Sequence, residues 1–348
     1  MTPASESAYA LKGAPGSPYT RKMLALLRYR RMPYRLLNRA AAEKAGLPRP
    51  AVELLPTFYL PDAQGAIEAV TDSTPLIRRF EREVAGRAVR PADALLAFVD
   101  SVLEDFADEW LTKAMFHYRW HYAADVHKAG QILPLQSLGS CTPDAALAQA
   151  QTAFAQRQIG RLAVVGSNPV TGLLIEASYR RTLDALDAHL RAQPFLMGAR
   201  PGASDFAFYG QLTQLAQFDP TPAALALARS PRVVAWVGWV EDLSGLEPAE
   251  ADWAEPRAMV PSLLELLREV GRTHVPLLLA NARALLAGSK QVQAVVDGQP
   301  WSQQTVAYQG KCLRWLREEF SSLGTAERSA AGELLERSGC AALVHEPL

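Results

Sequence analysis

The sequence has few cysteines, no net charge and no long apolar run, and each shortage argues against a class of protein. The three cysteines among 348 residues, Cys141, Cys312 and Cys340, form no CxxC pair, so neither a disulfide framework nor a zinc site is predicted. Lysine plus arginine number 36 and aspartate plus glutamate number 36, which leaves no basic excess typical of nucleic-acid-binding domains. The longest apolar run, around residues 275–286, contains an asparagine and an arginine and is shorter than the roughly 20 residues that span a bilayer.

The composition that remains is that of a folded protein. Apolar residues make up 49% of the chain and charged residues 21%, which is enough apolar surface for a sizeable core. The length predicts two domains and an added segment. The first ten residues lack the basic-then-apolar pattern of a secretory signal. We therefore expect a cytoplasmic protein with neither a nucleic-acid nor a membrane partner.

The first 84 residues alternate between strand and helix patterns. Ser17 before Pro18 predicts a helix start, because serine caps a helix well and proline loses no hydrogen bond at the first helical position. Pro33 ends that predicted helix. Around it, the pattern predicts strands at 7–13 and 34–37, a hairpin formed by 57–60 and 66–70, and a helix to about residue 84 that begins at Asp72 or Ser73.

Long helical patterns follow, and an acidic stretch divides them into two parts. Leu183, Leu186 and Leu190 mark one buried stripe in a helical stretch from about residue 91 to 243. Residues 241–255 contain six acids and no base, which predicts a solvated linker and a domain boundary. Beyond it, the pattern predicts helices at 262–287, 310–321 and 326–338, with a hairpin of 291–296 and 299–305 around Asp297-Gly298.

Four motifs in order resemble glutathione transferases. Residues 16–34, GSPYTRKMLALLRYRRMPY, resemble the first active-site segment of that family, especially in classes that use serine there. The LPTF motif at 55–58 resembles the cis-proline motif, and the DS pair at 72–73 resembles the acidic residue and serine that follow it. Residues 195–212, FLMGARPGASDFAFYGQL, resemble the start of the helix that organises the second domain.

This resemblance covers about residues 7–245 and implies an architecture. It implies an α/β thioredoxin-like glutathione-binding domain over residues 1–86 and an all-α substrate domain over 91–245. Residues 246–348 lie beyond it and are interpreted as a mainly helical C-terminal extension with a small hairpin. The segment at 195–212 departs from the family pattern at one position. Gly202 stands where the family has a serine or threonine helix cap, while Asp205 holds the third position of the helix. This departure concerns the folding of the helix start and not the substrate.

The resemblance assigns catalysis to Ser17, whose hydroxyl would donate to the sulfur of glutathione. A thiol pKa is near 8.5, and a donor beside the positive end of a helix dipole favours the thiolate. Ser17 as a simple helix cap is the alternative. Tyr19 is a rival donor, and its alternative is aromatic packing at the helix start. The loop has no cysteine, which argues against the thiol-exchange members of the family.

The family pattern also implies where the rest of glutathione binds. Pro56 would be cis and would leave the backbone of Leu55 free to pair with an extended peptide. Asp72 and Ser73 would take the γ-glutamyl amine and carboxylate, whereas their simple interpretation is helix capping. No basic residue aligns with a glycine-carboxylate ligand. The first 39 residues hold eight bases and one acid, which would attract anionic glutathione or form a solvated face.

A histidine-rich aromatic stretch supplies the candidate second-substrate pocket. His117 and His121 have metal-ligand spacing, but no acid or cysteine completes a site, so no metal is predicted. The stretch follows the first domain, where this family lines its pocket. Phe116, His117, Trp120 and His121 are therefore candidate pocket residues, with ordinary packing between helices as the alternative.

The preferred interpretation is a glutathione transferase or a related glutathione-dependent lyase or isomerase. Glutathione would be the co-substrate, and its thiolate would attack a hydrophobic electrophile. Conjugation, dehalogenation, ether cleavage and isomerisation share that first step. The alternatives are a non-catalytic protein of this fold that acts in partner binding or regulation, and a purely structural dimer. The family resemblance also implies a homodimer.

Overall fold

The first domain is a four-stranded mixed sheet with three helices. The computed structural model describes residues 8–256 and 261–346, so the predicted strand at 7–13 is described from residue 8 onward. The strands lie in the order β2-β1-β3-β4, with β1 parallel to β2 and the other pairs antiparallel. The elements are β1 Tyr9–Lys12, α1 Pro18–Tyr29, β2 Tyr34–Leu37, α2 Arg39–Lys44, β3 Thr57–Pro61, β4 Ile67–Val70 and α3 Ser73–Glu83.

These bounds confirm the predicted strands, the hairpin and both longer helices of this domain. The short helix α2 was not predicted, because its single buried residue, Ala42, gives no apolar period. Asp72 is the residue before α3, as predicted, but its side chain makes no well-formed cap hydrogen bond to that helix.

Helix α1 is buried on more than one side. Gly210 of the second domain lies so close to α1 that a Cβ there would be 2.5 Å from the backbone oxygen of Pro18. This contact covers the side of α1 that carries Lys22, which is fully buried. Arg30 is buried as well. The interpretation of the N-terminal bases as one solvated face is therefore wrong for these two residues.

The second domain is helical, as predicted. Leu183 and Leu186 are fully buried and Leu190 is half-buried, which confirms the apolar stripe. Two turns of π-helix, Ala107–Leu111 and Gln214–Phe218, interrupt the helices. The helices are α4 Ala94–Phe106, α5 Thr112–His121, α6 Ala123–Leu138, α7 Asp144–Ile159, α8 Thr171–His189, α9 Ala203–Thr213, α10 Pro220–Arg229 and α11 Pro231–Val240, with a 3₁₀ turn at Leu162–Val165.

A carboxylate from another helix compensates for the missing cap at the start of α9. Asp205 accepts hydrogen bonds from the N–H groups of Gly202 and Leu196. Asp100 of α4 reaches the same turn and accepts from the N–H and the hydroxyl of Ser204, at 3.0 Å and 2.6 Å. A Cβ on Gly202 would lie 2.4 Å from Asp100 Oδ1, so glycine makes room for the carboxylate.

The extension packs on the second domain and contains the predicted hairpin. Asp297 and Gly298 both have positive φ, 49° and 74°, as a two-residue hairpin turn requires. Trp301 of the hairpin is buried against Trp110, with ring centroids 5.4 Å apart. The elements are α12 Pro261–Glu269, a π-turn Val270–His274, α13 Val275–Leu286, β5 Gln291–Val296, β6 Gln299–Gln304, α14 Ala307–Ser322, α15 Thr325–Ser338 and α16 Ala342–His345.

The acidic stretch before the extension contacts the first domain, so the solvated-linker prediction is wrong for part of it. Glu241 pairs with Arg21 and Arg28 of α1. Arg31 donates to the backbone oxygen of Ser244 at 2.9 Å. Glu247 also pairs with Arg31, so two of the acids in this stretch are partners of N-terminal arginines. All three cysteines are free thiols, and no helix within the described ranges is long and apolar enough to cross a membrane.

Candidate functional site

Ser17 caps α1 and keeps a proton to donate. Its Oγ accepts a hydrogen bond from the N–H of Thr20 at 3.2 Å, which confirms the predicted cap. The same hydroxyl donates to the backbone oxygen of Leu55 at 3.3 Å. A hydroxyl has one donor and two acceptor positions, so the cap uses only an acceptor position. The proton of Ser17 therefore lies between the N-terminus of α1 and the cis-proline loop.

Side chains of the second domain hold the loop before Ser17. Arg119 of α5 donates to the backbone oxygen of Gly16 at 3.0 Å, and Gln136 of α6 accepts from the Gly16 N–H at 2.8 Å. Gln214 donates to the backbone oxygen of Pro15 at 3.2 Å. These three residues are 100 to 200 positions away in sequence, and no motif signals them. They fix the orientation of the loop that presents Ser17.

The Leu55–Pro56 peptide bond is cis, as the resemblance implies. A cavity of about 640 Å³ opens beside Leu55, between the first domain and the α6–α7 pair. Its lining contains four bases and two acids, and two of the bases form ion pairs: Lys12 with Glu53, and Arg39 with Glu43. The charged lining residues are Lys12, Arg39, Arg49, Arg157, Glu43 and Glu53. The excess of two positive charges favours an anionic occupant.

Asp72 and Ser73 lie side by side at the start of α3, but different groups support them. Ser73 is buried, and its Oγ accepts a hydrogen bond from Lys22 Nζ at 3.2 Å. Lys22 also donates to Glu104 at 2.8 Å and to Asp108 at 2.6 Å. Burial opposes the charge of Lys22, but Asp108 and Glu104 outweigh it and raise the pKa of the ammonium. A buried cation therefore lies directly behind Ser73.

The carboxylate of Asp72 has a partner from the C-terminal extension. The hydroxyl of Tyr308, in the first turn of α14, donates to Asp72 Oδ1 at 2.7 Å. Asp72 itself has a φ of 83°, which is uncommon for a residue other than glycine. Burial raises the pKa of Asp72, and the Tyr308 hydroxyl and Lys22 lower it. No sequence pattern indicates a role for Tyr308 or Lys22 here, because both are linked to Asp72 and Ser73 only through the fold.

Tyr19 does not share the position of Ser17. Its hydroxyl donates to the backbone oxygen of Asp108 at 2.7 Å, which is on the π-turn after α4. Burial, together with the charges of Glu109 and Asp108, raises the pKa of the phenol well above its usual value. The hydroxyl therefore serves as a structural donor between α1 and the π-turn after α4.

His117 lies in a buried polar cluster of the second domain. Its Nδ1 is 2.8 Å from the hydroxyl of Ser167, and its Nε2 is 3.4 Å from a carboxylate oxygen of Glu176. Burial lowers the pKa of His117, which favours the neutral ring at pH 7. The exposed ring of His121 stacks on His117 at 4.9 Å between centroids.

The two aromatic candidates of the same helix take part in packing. Trp120 is buried and meets Phe154 of α7 edge to face, with centroids 5.7 Å apart. Phe116 is half-buried and lies 6.3 Å from Trp120. Their surroundings are other helices of the domain, and their role as a second-substrate pocket stays a prediction.

A mixed sheet of this order followed by a helical domain defines the class of the protein as thioredoxin-like with an all-α second domain. Comparison with protein families agrees with this class. Residues 11–88 match the glutathione S-transferase N-terminal domain, and residues 144–238 match the glutathione S-transferase C-terminal domain. These two matches, in this order along the chain, support a glutathione S-transferase-like family.

Solved structures with a similar fold are distant in sequence. A glutathione S-transferase from Methylobacterium radiotolerans, in complex with glutathione sulfonate, is 18% identical over 72% of this chain and 97% of that chain, with a TM-score of 0.41. The β-etherase LigF from Sphingobium sp. strain SYK-6 is 14% identical over 75% of this chain and 99% of that chain, with a TM-score of 0.45. A search of curated proteins found no match.

Proposed function

We propose that this protein binds glutathione along the edge formed by Ser17, Leu55, Asp72 and Ser73, and that Ser17 activates its thiol. The observation that carries the proposal is that the Ser17 hydroxyl accepts one hydrogen bond and donates another. The oxygen accepts from the Thr20 N–H, while the proton points to the backbone oxygen of Leu55. Rotation about one bond turns that proton toward a sulfur and leaves the cap intact.

A donor at this position stabilises a thiolate by two effects. The hydroxyl hydrogen-bonds to the charged form of the sulfur, and the N-terminus of α1 carries the positive end of the helix dipole. Each unit by which the thiol pKa falls corresponds to about 1.4 kcal/mol. The resulting thiolate attacks an electrophilic carbon, a sulfur–carbon bond forms, and a leaving group takes the electron pair of the broken bond.

The remainder of glutathione matches the charges along this edge. Glutathione carries two carboxylates and one ammonium at neutral pH, so it needs one acidic partner and a basic surrounding. Asp72 supplies the acid, and Ser73 receives a hydrogen bond from Lys22, which leaves its own proton for a carboxylate. The basic cavity beside Leu55 then accommodates the glycine carboxylate. The helical domain provides the electrophile site, and the reaction subtype stays open.

The test is a calorimetric titration of glutathione into the wild-type protein and the Ser17→Ala variant, with thiolate absorbance followed against pH. We expect binding to both proteins, with the thiol pKa lowered in the wild type and returned toward 8.5 in the variant. Asp93→Ala is the matched control, because it removes a side-chain cap from α4 instead of α1.

Two other outcomes are informative. Absence of glutathione binding to the wild type would overturn the proposal. Binding without a lowered thiol pKa would retain the binding site and favour the non-catalytic alternative, in which a protein of this fold acts through ligand or partner binding alone.

A further inference from the structure

The C-terminal extension contributes one side chain to the proposed glutathione site. Tyr308 and Asp72 are 236 positions apart, and the Tyr308 hydroxyl donates to Asp72 Oδ1 at 2.7 Å. We propose that Tyr308 is a positioning residue that holds the Asp72 carboxylate for recognition of a ligand's primary ammonium. This inference rests on the proposed function, and it assigns the extension a part in ligand recognition.

The position of Tyr308 is fixed from within the extension. Asn281 of α13 is fully buried, and its amide clamps the backbone of Val306, the residue before α14. Asn281 Nδ2 donates to the Val306 oxygen at 2.9 Å, and Asn281 Oδ1 accepts from the Val306 N–H at 2.8 Å. These two bonds set where α14 begins, so they also set where its second residue, Tyr308, lies.

The first turns of α14 also pack against acidic residues of the second domain. Gln309 is buried and faces Glu109, and Cys312 is buried and faces Asp105. Burial and these carboxylates raise the pKa of the Cys312 thiol, so it stays protonated. Trp315 meets the ring of Tyr308 edge to face at 6.1 Å. The phenol therefore approaches Asp72 from a packed helix.

The carboxylate of Asp72 remains available to a ligand. Its side chain makes no well-formed cap hydrogen bond, although the Thr74 N–H of its own helix faces it, and the Tyr308 bond engages only Oδ1. A carboxylate has about four acceptor positions, so a ligand ammonium finds free ones. The groups that face Asp72 are Lys22 from α1, the Thr74 N–H from α3, Glu104 from α4 and Tyr308 from α14. The Tyr308 hydroxyl, Lys22 and the Thr74 N–H each favour the charged carboxylate that an ammonium requires, and the Tyr308 hydroxyl contributes most.

The experiment compares two ligands and three full-length proteins. The ligands are glutathione and glutaryl-cysteinyl-glycine, which differs from glutathione only in lacking the amine. The proteins are the wild type, Tyr308→Phe and Tyr209→Phe. Tyr209→Phe is the matched control because its phenol also donates to a carboxylate, that of Glu241, at the start of the acidic stretch. Dissociation constants are measured by calorimetry from acidic to neutral pH.

We expect Tyr308→Phe to bind glutathione about three- to tenfold more weakly at neutral pH, which is the range of one lost hydrogen bond. The loss of affinity on acidification should also begin at higher pH, because Asp72 loses a donor to its charged form. The amine-free ligand should bind Tyr308→Phe and the wild type equally. Tyr209→Phe should match the wild type for both ligands.

Three results would overturn the inference. Equal weakening of both ligands would show that Tyr308 has only a structural role. Tighter glutathione binding by Tyr308→Phe would show that the phenol obstructs the site. Unchanged affinity and pH profile would show that it takes no part. If the wild type binds neither ligand, the proposed function itself fails, and that result is distinct from the other three.

Discussion

The two ends of the proposed glutathione site are built in different ways. At the thiol end, Ser17 caps its own helix through Thr20, three residues away. At the γ-glutamyl end, Ser73 depends on Lys22 of another helix, and Asp72 depends on Tyr308, 236 positions away. The thiol end is a local motif, whereas the γ-glutamyl end requires the packing of three regions.

Because of this difference, substitutions at the two ends of the site should have different effects. A local cap stabilises only its own helix, so its loss should act mainly on chemistry and cost about 1 kcal/mol of stability, less than the loss of a buried ion-pair partner. Changes at the γ-glutamyl end should act on stability and ligand recognition together, since the same side chains hold the regions in contact. The predictions below begin with the largest loss of stability expected at neutral pH, continue with a smaller loss and end on a pH dependence.

Replacement of Lys22 by methionine should destabilise the protein most. It leaves Glu104 and Asp108 buried without their cation, and loss of one partner from a buried ion pair costs about 3–5 kcal/mol. The free energy of unfolding, measured by urea denaturation, should fall by that amount. Arg229→Met removes an exposed pair with Asp184 and should change little. Equal losses in the two variants would contradict the account.

Replacement of Asn281 by alanine should have an intermediate effect. It removes both hydrogen bonds to the Val306 backbone, and buried groups left unpaired cost about 1–3 kcal/mol. Glutathione affinity should fall with stability, because Tyr308 loses its fixed position. If Asn281→Ala lowers the free energy of unfolding but binds glutathione as tightly as the wild type, then the hydrogen bonds of Asn281 to Val306 do not contribute to the site.

Asp100 should act on stability through a pH dependence rather than through a fixed loss at one pH. Burial raises the pKa of Asp100 to about 7, above the value near 4 of an unfolded chain. The folded protein therefore holds this proton more tightly, so the free energy of unfolding should fall as the pH rises from about 4 to about 7. Asp100→Asn should show a shallower decline in urea titrations across that range. An identical slope in both proteins would contradict this assignment.

The features of the fold that could be predicted from the sequence are those that depend on residues close together in the chain. The cap at Ser17, the strands and longer helices of the first domain and the Asp297-Gly298 turn depend on backbone preferences and apolar patterns of nearby residues, and all are found. The cis bond before Pro56 is likewise found, although only the family resemblance implied it.

The remainder depends on contacts between distant segments. Lys22 looks like one of many surface bases until α9 covers it, and the glycine that permits this approach is at position 210. Asp100 supplies to α9 the acceptor that Gly202 lacks, across about 100 residues. Tyr308 has no motif around it. Its role becomes visible only when the start of α14 is placed by Asn281.

The most direct test of the central claim is the glutathione affinity of Asp72→Asn measured against Asp62→Asn. The first change removes the charge that an ammonium needs but keeps an acceptor for Tyr308, and the second alters a hairpin-turn aspartate. The account predicts that Asp72→Asn binds glutathione at least about tenfold more weakly than the wild type, the usual effect of losing a hydrogen bond to a charged group. Asp62→Asn should bind with wild-type affinity. Wild-type affinity in Asp72→Asn would contradict it.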